Sequence, residues 1–169
     1  VYLPLRENLV RTSYAYYCAE LLDRLTEEQD AQQEMFDLFL ETMERLCRTE
    51  ELRIPARHYE LRLLDLAGFR PELFTCLACA DEIRPTTNYF HYVQGGTLCE
   101  ACGVEVAGSR RVSLPALKVL RYIQTRPYST LEALQLRESV HAEVEGILYH
   151  YMTYVLEQNL KSVRFLRLL

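Results

Sequence analysis

Four of the six cysteines fall in the pattern C-x2-C-x19-C-x2-C, as Cys76-Leu77-Ala78-Cys79 and Cys99-Glu100-Ala101-Cys102. Two thiolates three residues apart on a tight knuckle can both face one ion. Two such knuckles supply the tetrahedral thiolate set that zinc prefers, so the spacing predicts one structural Zn2+ per chain held by Cys76, Cys79, Cys99 and Cys102. A knuckle commonly wants glycine after its second cysteine, where backbone amides turn toward the sulfurs. Gly103 meets that demand and Ala80 departs from it. The competing readings are two disulfides, a redox dithiol, an iron centre or buried thiols. Disulfides are disfavoured in a cytosolic chain, and a lone dithiol would not need a second matching pair. Spacing alone does not separate zinc from iron. His91 lies between the pairs, but four cysteines already close the site. With every position filled by thiolate no water can be activated, so the metal is expected to stabilise rather than catalyse.

Other candidate chemistry is sparse. His141 and Glu145 are four apart on a predicted helix without a third group to complete a site, and read as a solvated face. There is no glycine-rich phosphate loop, G-x-S-x-G elbow or H-E-x-x-H helix, so no enzyme is expected. Among the twelve tyrosines, Tyr16, Tyr17, Tyr122, Tyr151 and Tyr154 fall at helical spacing and are expected to pack. Tyr89, Phe90 and Tyr92 are expected to glue the cysteine segment to the helices. Two basic sets, Arg110, Arg111, Lys118 and Arg121, then Lys161, Arg164 and Arg167, could contact phosphates or carboxylates. A solvated helix face is the alternative for each residue. Cys18 and Cys47 read as small core residues.

The elements that must position these groups are mostly helical. Leu9, Tyr16, Tyr17, Leu21, Leu22 and Leu25 predict an amphipathic helix over 8–25, and Phe36, Phe39, Leu40, Met43 and Cys47 a second. Pro55 suits the first turn of a third, which ends at Gly68. Segment 74–107 loses helical periodicity and gains Pro85, Gly95, Gly96 and Gly103; Tyr89 to Val93 predicts a short strand with Gly95-Gly96 as its turn. Helices resume with Ser113 as N-cap before Pro115, stop before Pro127, and return for 138–158. The expected fold is mainly α: a helical bundle (1–73 and 108–169) carrying an inserted four-cysteine zinc ribbon with a small β-hairpin (74–107).

Apolar residues make up 49% and charged residues 25% of the 169, an ordinary globular balance. No apolar run approaches the roughly 18 to 20 residues a membrane span needs, and no basic-then-apolar leader is present, which places the protein in the cytoplasm. The formal charge of −5 is unevenly spread, with residues 1–75 at −6, 76–107 at −3 and 108–169 at +4. Bulk attraction to nucleic acid is not expected; any such contact should be local and C-terminal. Because the chain begins at Val1, it is expected to be one piece of a longer polypeptide.

Taken in order, the segments Tyr16-Tyr17-Cys18-Ala19-Glu20-Leu21-Leu22-Asp23-Arg24-Leu25 and Tyr59-Glu60-Leu61-Arg62-Leu63-Leu64-Asp65-Leu66-Ala67-Gly68-Phe69, the two cysteine pairs with Gly95-Gly96 before the second, and Leu160-Lys161-Ser162-Val163-Arg164-Phe165-Leu166 resemble the RecO family of bacterial recombination mediators. The resemblance spans nearly the whole chain. It implies a DNA repair protein that binds single- and double-stranded DNA, anneals complementary strands, and works with RecR to load RecA onto DNA coated by single-stranded DNA-binding protein. Members also carry an N-terminal OB-fold, which nothing here resembles; the chain looks like the helical and zinc-ribbon portion. The family's helical domain receives the acidic C-terminal tail of single-stranded DNA-binding protein, which needs an apolar pocket rimmed by cations. Lys118 and Arg121 are the expected rim. The resemblance also implies a bacterial, nucleoid-associated setting during repair. The rival reading is a zinc-ribbon adaptor of transcription or translation without annealing activity.

Overall fold

A computed structural model describes residues 2–26 and 32–166. The elements run α1 (Leu3–Glu7), α2 (Leu9–Thr26), α3 (Gln32–Arg48), α4 (Arg53–Leu66), β1 (Asn88–His91), β2 (Gly96–Leu98), α5 (Glu100–Glu105), β3 (Arg110–Val112), α6 (Leu114–Thr125), a 3-10 turn at Tyr128–Thr130, and α7 (Glu138–Leu166). The fold is mainly helical with a small sheet, as the periodicity predicts. Among the described residues, no helix is long and apolar enough to cross a membrane.

The centre is α4, which packs against α2, α3, α6 and α7. Ile54 to Leu61 are buried without a gap, followed by Leu63 and Leu64. Along Ile54 to Leu61 the helix is covered on every side and has no solvent face on which to place its polar residues, whereas Arg62 just beyond is exposed. That is why Arg57, His58 and Glu60 are buried with the apolar ones. Its end follows the glycine reading: Gly68 sits at φ 82°, its N–H donates to the Asp65 carbonyl, and the Phe69 N–H reaches back to Leu64.

Two helical faces are rotated from their sequence expectation. On α2 the buried stripe is Arg11, Cys18, Leu21 and Leu25, while Leu9 is 81% and Tyr16 74% exposed. On α3 it is Met35, Leu38, Thr42, Met43 and Leu46, leaving Phe36 exposed and Phe39, Leu40 and Cys47 half-buried. In both cases apolar residues cover more than half the circumference, so periodicity alone leaves the inward angle open. On α2 that angle is set by Arg11. Its guanidinium donates to the Leu46 and Thr49 carbonyls and pairs with Glu50, satisfying orphan acceptors at the end of α3.

The cysteine segment folds as a three-stranded antiparallel sheet in the order β2-β1-β3. Tyr89 pairs Leu98 and Phe90 pairs Thr97 across the expected hairpin. The third strand, Arg110–Val112, extends that hairpin from residues beyond 107, with Tyr89 opposite Arg111 and Phe90 opposite Arg110. Ser113 then caps α6 as expected, accepting from the Ala116 N–H while its own N–H and hydroxyl donate to Glu143 on α7.

The ribbon is fastened to the helices by rings and by backbone carbonyls. Phe90 is buried edge-on against Tyr151 and packs on Tyr92, which lies against His150. The Tyr151 hydroxyl donates to Phe69 O at 2.8 Å, and Gln124 Nε2 to Pro71 O at 2.8 Å. His141, expected on a solvated face, is buried instead, because the start of α7 closes over Glu51 and Arg53.

Candidate metal centre and the cations around it

The two cysteine pairs reach one point by different backbone routes. In the first, the Ala80 N–H donates to Cys76 O and the Cys76 N–H donates to Asp81 O, closing a knuckle in which Ala80 sits at φ 63°. That is the left-handed conformation for which glycine is preferred, so the departure noted in the sequence carries strain at this residue. In the second, Cys99 is the N-cap of α5 and Cys102 lies in its first turn. Gly103 is therefore helical, and its value is room rather than a turn. A Cβ there would lie 2.2 Å from Tyr89 Cδ2.

All four sulfurs lie within 4.8 Å of one another, and Cys79 Sγ is 3.8 Å from Cys99 Sγ. A tetrahedral ion with sulfur ligands at about 2.3 Å places its ligands about 3.8 Å apart, so the donor set fits such a cation without rearrangement. Burial disfavours a thiolate at Cys76, but amides of Cys79, Cys99 and Ala78 donate to the sulfur and bring it down to about 6. The Cys99 N–H stands 3.3 Å from it. Cys102 is pushed up to about 12, chiefly by its contact with the Cys99 sulfur. Four thiols so close do not all ionise until a cation offsets their charge.

His91 is not part of the cluster. Its Nε2 lies 3.0 Å from Ala107 O and its Nδ1 accepts from the Gln94 N–H at 3.1 Å, so both ring nitrogens are used in tying the hairpin to the segment before β3.

The cations named from sequence are dispersed. Arg110 and Arg111 are neighbours on β3, and strand alternation sends them to opposite faces. Arg110 shares the face of Phe90 near Tyr92, while Arg111 shares that of Tyr89 and reaches Thr87. Lys118 is exposed on α6. Arg121 is committed inward: its Nε donates to Leu73 O at 2.8 Å, its Nη2 to Ile83 O, and its guanidinium lies 4.9 Å from the Phe74 ring centroid. It clasps the base of the ribbon. Lys161 and Arg164 are carried by the last turns of α7, and Arg167 lies outside the described residues. Arg84, the one basic residue between 76 and 107 and not singled out from sequence, is exposed on the 83–88 loop that Arg121 and Arg111 both touch. Among the described residues, none of Arg84, Arg110, Arg111 and Lys118 has a carboxylate within 4.0 Å. Also unforeseen was the buried pair Arg57 and Glu60, opposite charges three apart on α4.

A family profile described as the recombination protein O C terminal matches residues 6–164. The chain is similar to a DNA repair protein RecO of Roseiflexus sp. strain RS-1, 39% identical over 166 residues, covering 96% of this chain and 57% of that protein. It is also similar to proteins of that name from Symbiobacterium thermophilum, 33% identical over 165 residues, and Dehalococcoides mccartyi, 32% identical over 165 residues. It covers 65% of each, so the chain spans less than two thirds of the length of the relatives it matches.

Proposed function

The chain belongs to the recombination protein O family, and from that membership we propose that it is the helical and zinc-ribbon part of a DNA repair and recombination mediator. The observation that carries the reading is the extent of the match, which takes in α2 to α6, the sheet and all four clustered cysteines. The ion at Cys76, Cys79, Cys99 and Cys102 is zinc. Four thiolates at tetrahedral spacing suit it and leave no open position, so it locks the two knuckles together and activates no water. The protein then acts by binding rather than by covalent chemistry.

Its partners in this reading are DNA, RecR, and the acidic C-terminal tail of single-stranded DNA-binding protein, and the outcome is RecA loading and strand annealing. Exposed cations without carboxylate partners support it, since a charge not already neutralised is free to meet phosphate or carboxylate. Arg84, Arg110, Arg111 and Lys118 are such cations around the ribbon; Arg121 is not.

The test is binding of a fluorescent peptide copying that acidic tail, at several salt concentrations, to the zinc-loaded chain and to its Arg110→Glu/Arg111→Glu/Lys118→Glu variant. Arg121 is left intact because it holds the ribbon. Binding that weakens with salt and in the variant is expected. A folded chain with one zinc and no affinity at low salt would remove docking from this part of the protein.

A further inference from the structure

Where α3 and α4 meet the turn that follows α6 lies an open cleft of about 560 Å³, lined in part by His58, Arg45, Arg62, Arg126 and Tyr128. None of these elements carries a metal ligand. His58 lies at its base, 5% exposed, and the fold uses only one of its two ring nitrogens. Nδ1 stands 3.3 Å from Arg45 Nη1. A guanidinium can only donate, so Nδ1 accepts and the proton of the neutral ring sits on Nε2. Burial, together with Arg45 and Arg62, lowers the ring from its usual range to about 3 and so keeps it neutral. Among the described residues nothing accepts from Nε2–H, and that atom is not sealed in the interior, so it opens on the cleft. Buried donors almost always have partners, and one left open at the base of a cleft points to a ligand.

The charges beside it are positive and only partly engaged. The Arg45 guanidinium is fixed, lying 4.1 Å from the Tyr128 ring centroid and pairing with Glu41 at 2.8 Å. Arg62, one helical turn beyond His58, is held loosely: its Nη1 is 3.8 Å from Asp65 Oδ2, the oxygen that Arg70 reaches at 3.0 Å. Arg126 is exposed just past the end of α6 and has no carboxylate within 4.0 Å among the described residues. Carboxylates stand along the α3 side, as Glu34, Asp37 and Glu41. Asp37 accepts from Gln33 and Glu41 from Arg45, and none of the three opposes the two arginines at the His58 ring. The cleft is cationic around His58 and acidic at its α3 rim.

We propose that this cleft binds a phosphate monoester, its oxygens accepting from His58 Nε2 and from the guanidinium groups of Arg62 and Arg126. A tetrahedral dianion offers three terminal oxygens to these three side chains, and its charge meets two arginines that lack a close carboxylate of their own. Because His58 is recessed, a terminal phosphate reaches it, whereas a diester within a strand carries a substituent on each side. The α3 carboxylates limit the charge accepted: one phosphate fits beside the arginines, and further phosphates meet Glu34 and Asp37. The monoester belongs either to a small molecule such as a mononucleotide or to the 5′ end of a nucleic-acid strand.

Isothermal titration calorimetry on the zinc-loaded chain tests it, with AMP, adenosine and ATP as probes. Saturable binding of AMP is expected, with adenosine at least about tenfold weaker for loss of the charged contacts. ATP should bind more weakly than AMP, whereas non-specific attraction to exposed arginines would rank them the other way. Arg126→Gln, an exposed change on which the fold does not depend, should weaken AMP about five- to tenfold. The His58 ring signal in 15N-edited spectra should move with AMP and stay fixed with adenosine, which reads the site without altering it. A 5′-phosphorylated trinucleotide that binds where its 5′-hydroxyl form does not identifies a strand end as the source; binding of AMP alone identifies a small ester. No saturation by AMP, adenosine equal to AMP, ATP as tight as AMP or tighter, unchanged affinity in Arg126→Gln, a silent His58 signal, or a 5′-hydroxyl trinucleotide binding as tightly as the phosphorylated one would overturn the proposal.

Discussion

Ala80 holds a left-handed backbone at φ 63° directly after Cys79, where a Cβ crowds the following carbonyl. Ala80→Gly is expected to stabilise the metal-loaded chain by about 1 kcal/mol, read as a higher urea midpoint. Gly103 is constrained in the opposite sense, since any side chain there enters the Tyr89 ring. Gly103→Ala should cost about 1 to 3 kcal/mol through overpacking. Trimming the ring should recover part of that loss, so the Gly103→Ala/Tyr89→Ala double mutant should be less destabilised than the sum of the single changes. Additive losses would show that the ring is not what excludes the methyl.

The ribbon and the helices differ in what holds each together. One continuous core runs from Cys18 through Tyr59 and Leu64 to Val155; it takes in Ile83, Phe90 and Leu98 of the ribbon, but most of its residues lie on the helices. Cys99→Ser is therefore expected to reduce bound zinc from one per chain to none while leaving most of the far-ultraviolet helical signal. Wholesale loss of helicity would mean that the ribbon nucleates the body. Within the body, Arg11 joins α2 to the end of α3 through two carbonyls. Replacing it with Met keeps much of the apolar stem but orphans those acceptors, a loss of about 1.5 to 3 kcal/mol in unfolding free energy.

Across the molecule, burying His58 on the central helix and His141 on α7 makes stability depend on pH. Burial, reinforced by Arg45 and Arg62, lowers His58 from its usual range to about 3. Burial and Arg53 lower His141 as well, outweighing the nearby Glu51. His58 titrates near 6.5 when unfolded, so between that value and about 3 the unfolded state binds more protons. Its contribution is complete above about 6.5 and is lost as pH falls toward 3, and His141 acts in the same direction. Glu60, raised by burial, works in the opposite direction, so the comparison has to be made with a variant. Urea midpoints should drop between pH 7 and pH 4 in the parent chain and less steeply in His58→Gln; parallel profiles would show that His58 does not contribute.

The cysteine quartet, the helix ends at Gly68, Ser113 and Pro127, and the change of character between 74 and 107 were all legible from sequence. Each depends on residue type at fixed spacing along the chain: a thiolate pair three apart, a glycine where φ turns positive, a hydroxyl before a proline-led helix. The tertiary structure alone decided which way the helices face. Apolar residues on α2 and α3 encircle more than one stripe, and the partner that selects among stripes is another helix. It also divided the cations, turning Arg110 and Arg111 to opposite sides of a strand and drawing Arg121 onto the Leu73 and Ile83 carbonyls. Local spacing specifies what a residue can do; which groups stand within hydrogen-bond reach of it is set by elements distant in the chain, as with Arg57 beneath Tyr14, Tyr17 and Tyr149.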